Sequence, residues 1–349
     1  MKRNYILALL CLVFINDIIN GQTGCKINLT LSKQSQVDSF PVKYGKCKII
    51  EGDLGILGVQ VLNLDSLYSL EGIEGGLRIR VTSRLKSLEG LHNLKYVNGD
   101  VLIERADSLS SVDQLLLIDS CRNLSILSNK NLSSIDVNGM KKCKGDLTIR
   151  GNSSLGQIIG GRQLQNVKNI SVTDNRKLQF IDGFEEVKSL ENLEISMNES
   201  LQDVHILNGA MVAGNIFIRS NDSLKILTAC NSVLKAKDVE IIENGILSQL
   251  FLLDSVKTLS SLNIADNSLD SLVGFNNLDT IYGEMLRIYT EKKLDTIKAF
   301  RRLTYINGKL DISQLYSLRS LNNFSELNHI GGLLSILNCT VSIRPTTYL

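Results

Sequence analysis

Few residues in this chain have the types and spacings that carry covalent or metal chemistry. The three histidines, His92, His205 and His329, lie far apart, and none has a partner at metal-ligand spacing. Each reads as a surface or loop residue. Gly52, Gly55 and Gly58 are followed by neither a helix pattern nor the Lys-Ser/Thr pair of a phosphate loop. No Ser, His and Asp can be assigned to a nucleophilic triad. The basic group Lys292, Lys293, Lys298, Arg301 and Arg302 is a solvated face, or a contact for an acidic partner or glycan. The chemistry left is that of export. There are seven cysteines, and nine Asn-x-Ser/Thr sequences stand at Asn28, Asn123, Asn131, Asn152, Asn169, Asn198, Asn221, Asn323 and Asn338. The expectation is a binding protein without catalytic residues, cofactor or metal.

Composition agrees. The 349 residues carry a formal net charge of +2 and are 43% hydrophobic, so the chain is neither disordered nor drawn to nucleic acid. Two prolines in this length leave no room for proline-rich linkers between domains. Lys2 and Arg3 precede an apolar stretch from Tyr5 to Ile15, with Asn20, Gly21 and Gln22 after it, the pattern of a signal peptide over residues 1–21. Its removal takes Cys11 and leaves Cys25, Cys47, Cys121, Cys143, Cys230 and Cys339, an even set suited to an oxidising compartment. No later segment has the ~18–20 apolar residues of a transmembrane helix. The terminal residues 341–349 lack a lipid-anchor tail. The expectation is a secreted, extracellular protein.

The elements that position everything else are repeats. A Leu-x-Ile element recurs with its second residue at Ile56, Ile79, Ile103, Ile126, Ile149, Val172, Ile195, Ile218, Ile241, Ile264, Ile288, Ile312 and Ile336, at intervals of 23 or 24 throughout. Two apolar residues flanking a polar one is strand periodicity. So short a strand cannot bury its inner face alone, but successive turns stacked on one another can. The fold class expected is all-β: a right-handed parallel β-solenoid of about 13 turns of 23–24 residues, related to leucine-rich repeats. A second column fixes the phase. Three residues after each strand Ile stand Asn129, Asn152, Asn175, Asn198, Asn221, Asn244 and Asn267, while Thr82, Ala106, Glu291 and Leu315 break the series at its ends. An inward asparagine has the donors and the acceptor to bridge backbone groups of adjacent turns. Between strands, runs such as Leu178, Ile181, Phe184, Val187 and Leu190 read as short extended or 3₁₀ pieces, because a 23-residue turn has no room for long helices. Cys121 and Cys143 fall at nearly the same angular position on adjacent turns, which predicts a rung-to-rung disulfide. Cys230 and Cys339 lie about four turns apart, roughly 20 Å at strand spacing, and are expected to be unpaired.

Cys47-Lys48-Ile49-Ile50-Glu51-Gly52-Asp53-Leu54-Gly55-Ile56 resembles the opening of the receptor L-domain family, the ligand-binding modules of the insulin and epidermal growth factor receptors. Leu88-Glu89-Gly90-Leu91, Asn98 to Ile103, and Leu303 to Ile312 are similar to its internal repeat. The resemblance extends from Cys25 to Cys339 and implies that Cys25–Cys47 closes an N-terminal cap. It divides the chain into a cap over 22–46, an L-domain-like module over 47–140, a second over 141–340 continuous with the first, and a tail over 341–349. The receptors' Cys-rich region and kinase have no counterpart here. Cys339, in the asparagine phase, matches a thiol that substitutes there in leucine-rich repeats.

Asn152, Asn198 and Asn221 belong to the inward column and are expected to carry no sugar. Asn28, Asn131 and Asn323 are the expected glycosylated sites. The resemblance implies that ligand binds the outward face of the strands. Arginine and aromatic residues concentrate at binding hot spots, which selects Phe217, Arg219, Ile242, Arg287 and Tyr289 as the candidate patch. The expected partner is an extracellular protein or peptide, against the alternative of a structural or adhesive repeat protein with no dedicated ligand. A polysaccharide-cleaving β-helix would need Asp, Arg or Lys clustered on adjacent turns, and Arg78, Arg80, Glu194 and Glu240 are too scattered for that.

Overall fold

A computed structural model describes residues 24–45, 47–210 and 212–340 of the chain. The segment read as a signal peptide and the tail lie outside them. The main sheet is parallel and has fourteen strands in chain order. They are β1 (Leu29–Lys33), β2 (Leu54–Gln60), β3 (Leu77–Arg80), β4 (Val101–Glu104), β5 (Leu124–Leu127), β6 (Asp146–Arg150) and β7 (Asn169–Thr173), then β8 (Ser189–Ser196), β9 (Val212–Arg219), β10 (Asp238–Ile242), β11 (Ser261–Ala265), β12 (Met285–Tyr289), β13 (Lys309–Ser313) and β14 (Leu334–Leu337). Ile149, Val172 and Ile195 are direct cross-strand partners, and the same register carries on through Ile336. The chain is a β-solenoid.

One more strand stands in the main sheet than the thirteen expected. Leu31 pairs with Ile56, so the cap itself supplies the first strand. Its spacing of 25 and its leucine put it outside the sequence repeat. After β1 come two short helices, α1 (Gln34–Asp38) and α2 (Phe40–Tyr44), whose Val37 and Phe40 are fully buried over the open end of the core. Shorter parallel sheets line the other sides. A six-stranded one runs from Gly24–Cys25 to Lys142–Cys143, and another from Ser134–Asp136 to Gln249–Leu252. Short 3₁₀ turns at Asp65–Leu67, Glu89–Leu91, Leu115–Leu117 and Asn322–Phe324 form the corners of the terminal rungs, in the manner the apolar spacing predicts.

The asparagine column is a continuous hydrogen-bonded ladder inside the coil. The backbone N–H and Nδ2 of each asparagine donate to Oδ1 of the next, from Asn129 through Asn267. Asn198 shows the set. Its Nδ2 lies 2.9 Å from the Val172 carbonyl and 3.1 Å from that of Ser196, and its Oδ1 accepts from Asn175 N at 3.1 Å. At the acceptor-rich end, Glu291 receives Asn267 N, Asn267 Nδ2 and Leu269 N. Burial pushes its carboxyl up, against the pull of these donors. At the other end Ala106 N donates to Asn129, and Thr82 leaves its hydroxyl unpaired. Cys339 keeps the column's function, with Sγ 3.3 Å from the Ile312 carbonyl.

A further regularity was invisible to composition. The residue before each ladder position is left-handed: Val81, Arg105, Ser128, Asp174, Met197, Ser220, Glu243, Asp266, Thr290, Gln314 and Asn338 all have φ between 52° and 59°, and Gly151 has 68°. This bend turns each strand into the coil, and the N–H at the bend still donates to the next rung, as from Met197 to the Arg219 carbonyl at 3.1 Å. Only Gly58 and Gly151 mark the corner with glycine. A second left-handed row, Gly161, Phe184, Leu207, Cys230, Leu253, Phe275 and Phe300, turns the opposite side and is buried. Cys230 is thus a corner thiol. Burial pushes it up to about 12, and it is unbonded as expected.

Cys25 and Cys47 form the cap disulfide, with Cα atoms 5.9 Å apart. The expected Cys121–Cys143 bridge is not formed. The two are cross-strand partners and buried, but both are free thiols. Geometry accounts for this. Side chains directly opposite in a parallel pair project side by side, so their Cβ atoms remain near the ~4.8 Å strand spacing. A disulfide draws Cβ atoms to about 3.8 Å. The Cys143 sulfur beside it, and then burial, push the Cys121 thiol up, while Cys143 Sγ donates to the Asp146 carbonyl at 3.4 Å.

Three outcomes follow. Asn198→Ala removes the bridge between three rungs and strands buried donors and carbonyls at about 1–3 kcal/mol each, so denaturant unfolding should show a loss of about 3 kcal/mol or more. Val81 is a β-branched residue at φ 54°, which costs about 1–2 kcal/mol for an L-residue. Val81→Gly should therefore raise stability by up to about 1 kcal/mol in the same measurement. Thiol titration of the unfolded, unreduced protein should label Cys121, Cys143, Cys230 and Cys339 and spare Cys25 and Cys47. Protection of Cys121 and Cys143 together would restore the rung-to-rung bridge.

Candidate functional site

Strand alternation sends two residues of each main-sheet strand outward, and the in-register stack lines them up in two rows. Over β9–β13 the first row reads Phe217, Glu240, Asn263, Arg287 and Asp311. The second reads Arg219, Ile242, Ala265, Tyr289 and Ser313. All five residues of the predicted patch are therefore on one face of four consecutive strands. Each is half-buried by its neighbours. Arg219 and Ile242 are direct partners. Ala265, small and unremarked in the sequence, separates Ile242 from Tyr289 and leaves an apolar saddle between them.

Two stacks frame the saddle. The Arg219 guanidinium lies 4.1 Å from the centre of the Phe217 ring and pairs with Glu240 at 2.6 Å. The Arg287 guanidinium lies 4.1 Å from the Tyr289 ring and 3.8 Å from Asp311. Each ring holds its arginine flat over the sheet, which orders a side chain that would otherwise sweep through solvent. Burial pushes the Asp311 carboxyl up, but hydrogen bonds from Lys309 (2.7 Å) and Ser313 (2.6 Å), with the charges of Lys309 and Arg287, outweigh it and hold the group below the ordinary carboxylate range. Tyr289 is fixed through its hydroxyl, which accepts from Gln314 Nε2 at 2.6 Å.

The polar capacity of this face is not used up. Arg219 Nε, Asn263 Oδ1 and Arg287 Nε are shielded from solvent and have no hydrogen-bond partner. Two are donors and one an acceptor, and they stand within four neighbouring strands. A recess of about 250 Å³ opens beside Asn263, lined also by Phe217, Asp238, Glu240, Glu284 and Met285. That is below the ~300–1,000 Å³ of pockets that enclose a whole small molecule. A second recess of about 360 Å³ lies on a side face between Lys48, Tyr68, Glu71 and Lys95. Both of its lysines are spent on Glu71, at 2.6 Å each, and their hydrogen bonds hold the Glu71 carboxyl down to about 2.

The N-terminal half of the same face is different in kind. Arg78 pairs with Asp53 at 2.9 Å and Arg80 with Glu104 at 2.6 Å, across rungs and with no ring beneath them. A second, outer polar ladder borders the sheet. Asn169 donates to Asp146 at 2.6 Å, Asn192 to Asn169 at 2.7 Å and Asn215 to Asn192 at 2.8 Å. Sequence reasoning missed it, although Asn123, Asp146, Asn169, Asn192, Asn215 and Asp238 recur at 23 residues, three before each strand Ile.

Of the expected glycan sites, Asn28 and Asn131 are exposed. Asn323 is a correction. Its Nδ2, the atom that bears the sugar, is buried in the 3₁₀ corner Asn322–Phe324. A corner residue near the chain's last rungs looks accessible from its sequence, yet the corner packs that amide inward. Asn152, Asn198 and Asn221 are buried with Nδ2 engaged in the ladder, as the column requires. The histidines are apart from one another. His92 follows a 3₁₀ corner, His205 lies on the strand Asp203–Ile206, and His329 stacks on Tyr305 with ring centres 4.4 Å apart. Among the described residues no group of three or more His, Cys, Asp or Glu is placed to hold a metal ion, and no helix is long and apolar enough to cross a membrane.

Residues 46–157 match the Receptor L domain profile. No curated protein sequence matches the chain. Among solved structures it is similar to a leucine-rich repeat protein from Bacteroides ovatus, at 14% identity over 82% of this chain and 83% of that one, with a TM-score of 0.19. The matched segment holds the opening Cys47 to Ile56 and the first in-phase strands, so residues 46–157 are similar to a Receptor L domain, and the rungs beyond them extend the same solenoid.

Proposed function

We propose that this is a secreted binding protein that takes an extracellular protein or peptide ligand on the outward face of β9–β12 and catalyses no reaction. A Receptor L domain is a ligand-binding module, which supports binding in general. The observation that carries the choice of face is the grouping of Arg219 Nε, Asn263 Oδ1 and Arg287 Nε around an apolar saddle, all shielded and without a hydrogen bond, Arg287 Nε having only the Asp311 carboxylate 3.8 Å away. A shielded polar atom without a partner costs about 1–3 kcal/mol, so three on neighbouring strands favour a ligand that supplies the missing partners. A peptide offers both the carbonyl that the arginines need and the N–H that Asn263 needs. The ordered rings and guanidinium groups are the residue types that dominate binding energy when desolvated. Secretion is supported by the signal-like N-terminus, the cap disulfide and the exposed sugar-acceptor sequences.

The test is affinity capture from extracellular fluid with the full chain. A saturable partner should be retained by the wild type and lost, by tenfold or more in affinity, with Phe217→Ala or Arg287→Ala. Arg78→Ala, on the same sheet but outside the patch, should leave it unchanged. A partner held equally by all four proteins would place the site elsewhere, and no saturable partner would favour a structural role.

A further inference from the structure

The recess beside Asn263 exists because side chains shorten on one rung. In the outer polar ladder each asparagine donates to the rung before it, as Asn169 does to Asp146 and Asn215 to Asn192. The partner that would donate to Asp238 is Ser261, at the start of β11. Its hydroxyl instead accepts from Glu284 N at 3.2 Å. Ser260 beside it is equally small. Asp238 and Glu240 of β10 stand on one side of these serines and Glu284 and Met285 on the other, so a gap opens between them. Its lining contains no lysine or arginine. Among the described residues, the carboxylates of Asp238 and Glu284 have no ion-pair partner and accept no hydrogen bond; only the backbone N–H of each is engaged. The third carboxylate, Glu240, is paired with Arg219 at 2.6 Å. Asn263 Oδ1, shielded and without a donor, faces the same problem.

We propose that this recess is a subsite for one basic side chain, lysine or arginine, of the bound peptide or protein. The proposal rests on the reading of β9–β12 as the ligand face and adds what one residue of that ligand must be. Charge complementarity is the first argument. A cation compensates the two unpaired carboxylates, and hydrogen bonds between ionised partners are stronger than neutral ones. A backbone N–H could satisfy Asn263 Oδ1 but would leave both charges unanswered. Shape is the second argument. The volume is too small for a whole small molecule but suits a single side chain. Phe217 and Met285 offer apolar surface to a methylene stem, while the charged head meets the acceptors. Among the described residues no three acidic, histidine or cysteine groups converge on a metal ion, so the negative charge is spread over the recess rather than focused on one point.

The test uses a random peptide library displayed on phage and panned on the immobilised full chain. Selected peptides should share a lysine or arginine at one position. Norleucine there, which has an apolar stem and no charge, should weaken binding at least tenfold. Asp238→Asn combined with Glu284→Gln should do the same to the unaltered peptide, with circular dichroism and the melting transition establishing that the variant is folded. Exchanging lysine and arginine in the peptide identifies which head the recess takes, since an ammonium and a planar guanidinium are not equivalent. Peptides with no basic position, or basic peptides that bind the folded double variant as well as the wild type, would overturn the subsite; the wider face survives if those peptides still need Phe217 and Arg287. Basic peptides that need Asp238 and Glu284 but neither Phe217 nor Arg287 would uphold the subsite and sink the wider face. A library that yields no saturable peptide would also overturn the subsite, leaving the face to be judged by affinity capture.

Discussion

Everything in this molecule depends on one backbone problem and its solution. A coil of 23-residue turns must bend its chain inside the core at every rung, and a bend leaves peptide groups without the partners that a straight strand provides. Water cannot reach them. The asparagine ladder supplies what is missing: each amide accepts from one rung and donates to carbonyls of others, so the bend of one turn is satisfied by its neighbour's side chain. The apolar residues give most of the free energy of burial, but they do not choose between one stacking phase and another a few residues away. The ladder does, because a slipped rung would bury its amide with nothing opposite.

The outward face inherits its precision from this interior. Phe217, Arg219, Arg287 and Tyr289 are placed on two straight rows because Ile218 and Ile288 inside are in exact phase through the strands between them. A binding surface built on a rigid, repeating frame loses little conformational freedom when occupied. What varies from rung to rung is then only the outward side chain. The N-terminal rungs spend theirs on exposed cross-rung ion pairs, which contribute little. The rungs of β9–β13 place rings under their arginines and leave polar atoms unsatisfied.

The solenoid, its register and the inward column were legible because each depends on residue type at a fixed interval, and thirteen copies reinforce one another. The patch was legible as five residues on a common face, since alternation alone decides which side chains point out. Three things were not. Ala265 completes the saddle, but an alanine carries no signal of its own. The unbonded state of Cys121 and Cys143 depends on about an ångström of separation between parallel Cβ vectors, whereas spacing reports only that the two are neighbours. The left-handed corners were hidden because Val81, Met197 and Thr290 occupy backbone regions that their side chains disfavour. There the stacked rungs override local preference, and a rule built on glycine finds only Gly58 and Gly151 in the row that precedes the column.

The ladder also has a direction. From Asn129 to Asn267 every backbone N–H of the column donates to the side chain one rung toward the C-terminal end, and the series closes on a carboxylate, Glu291, that takes three donors and returns none. Such a chain of aligned dipoles can grow or shrink only in whole units: a duplicated 23-residue turn inserts cleanly between any two asparagines, while a partial one breaks the polarity. Length in this architecture is quantised, and a lineage or an engineer can lengthen the rod between its two terminators without redesigning either.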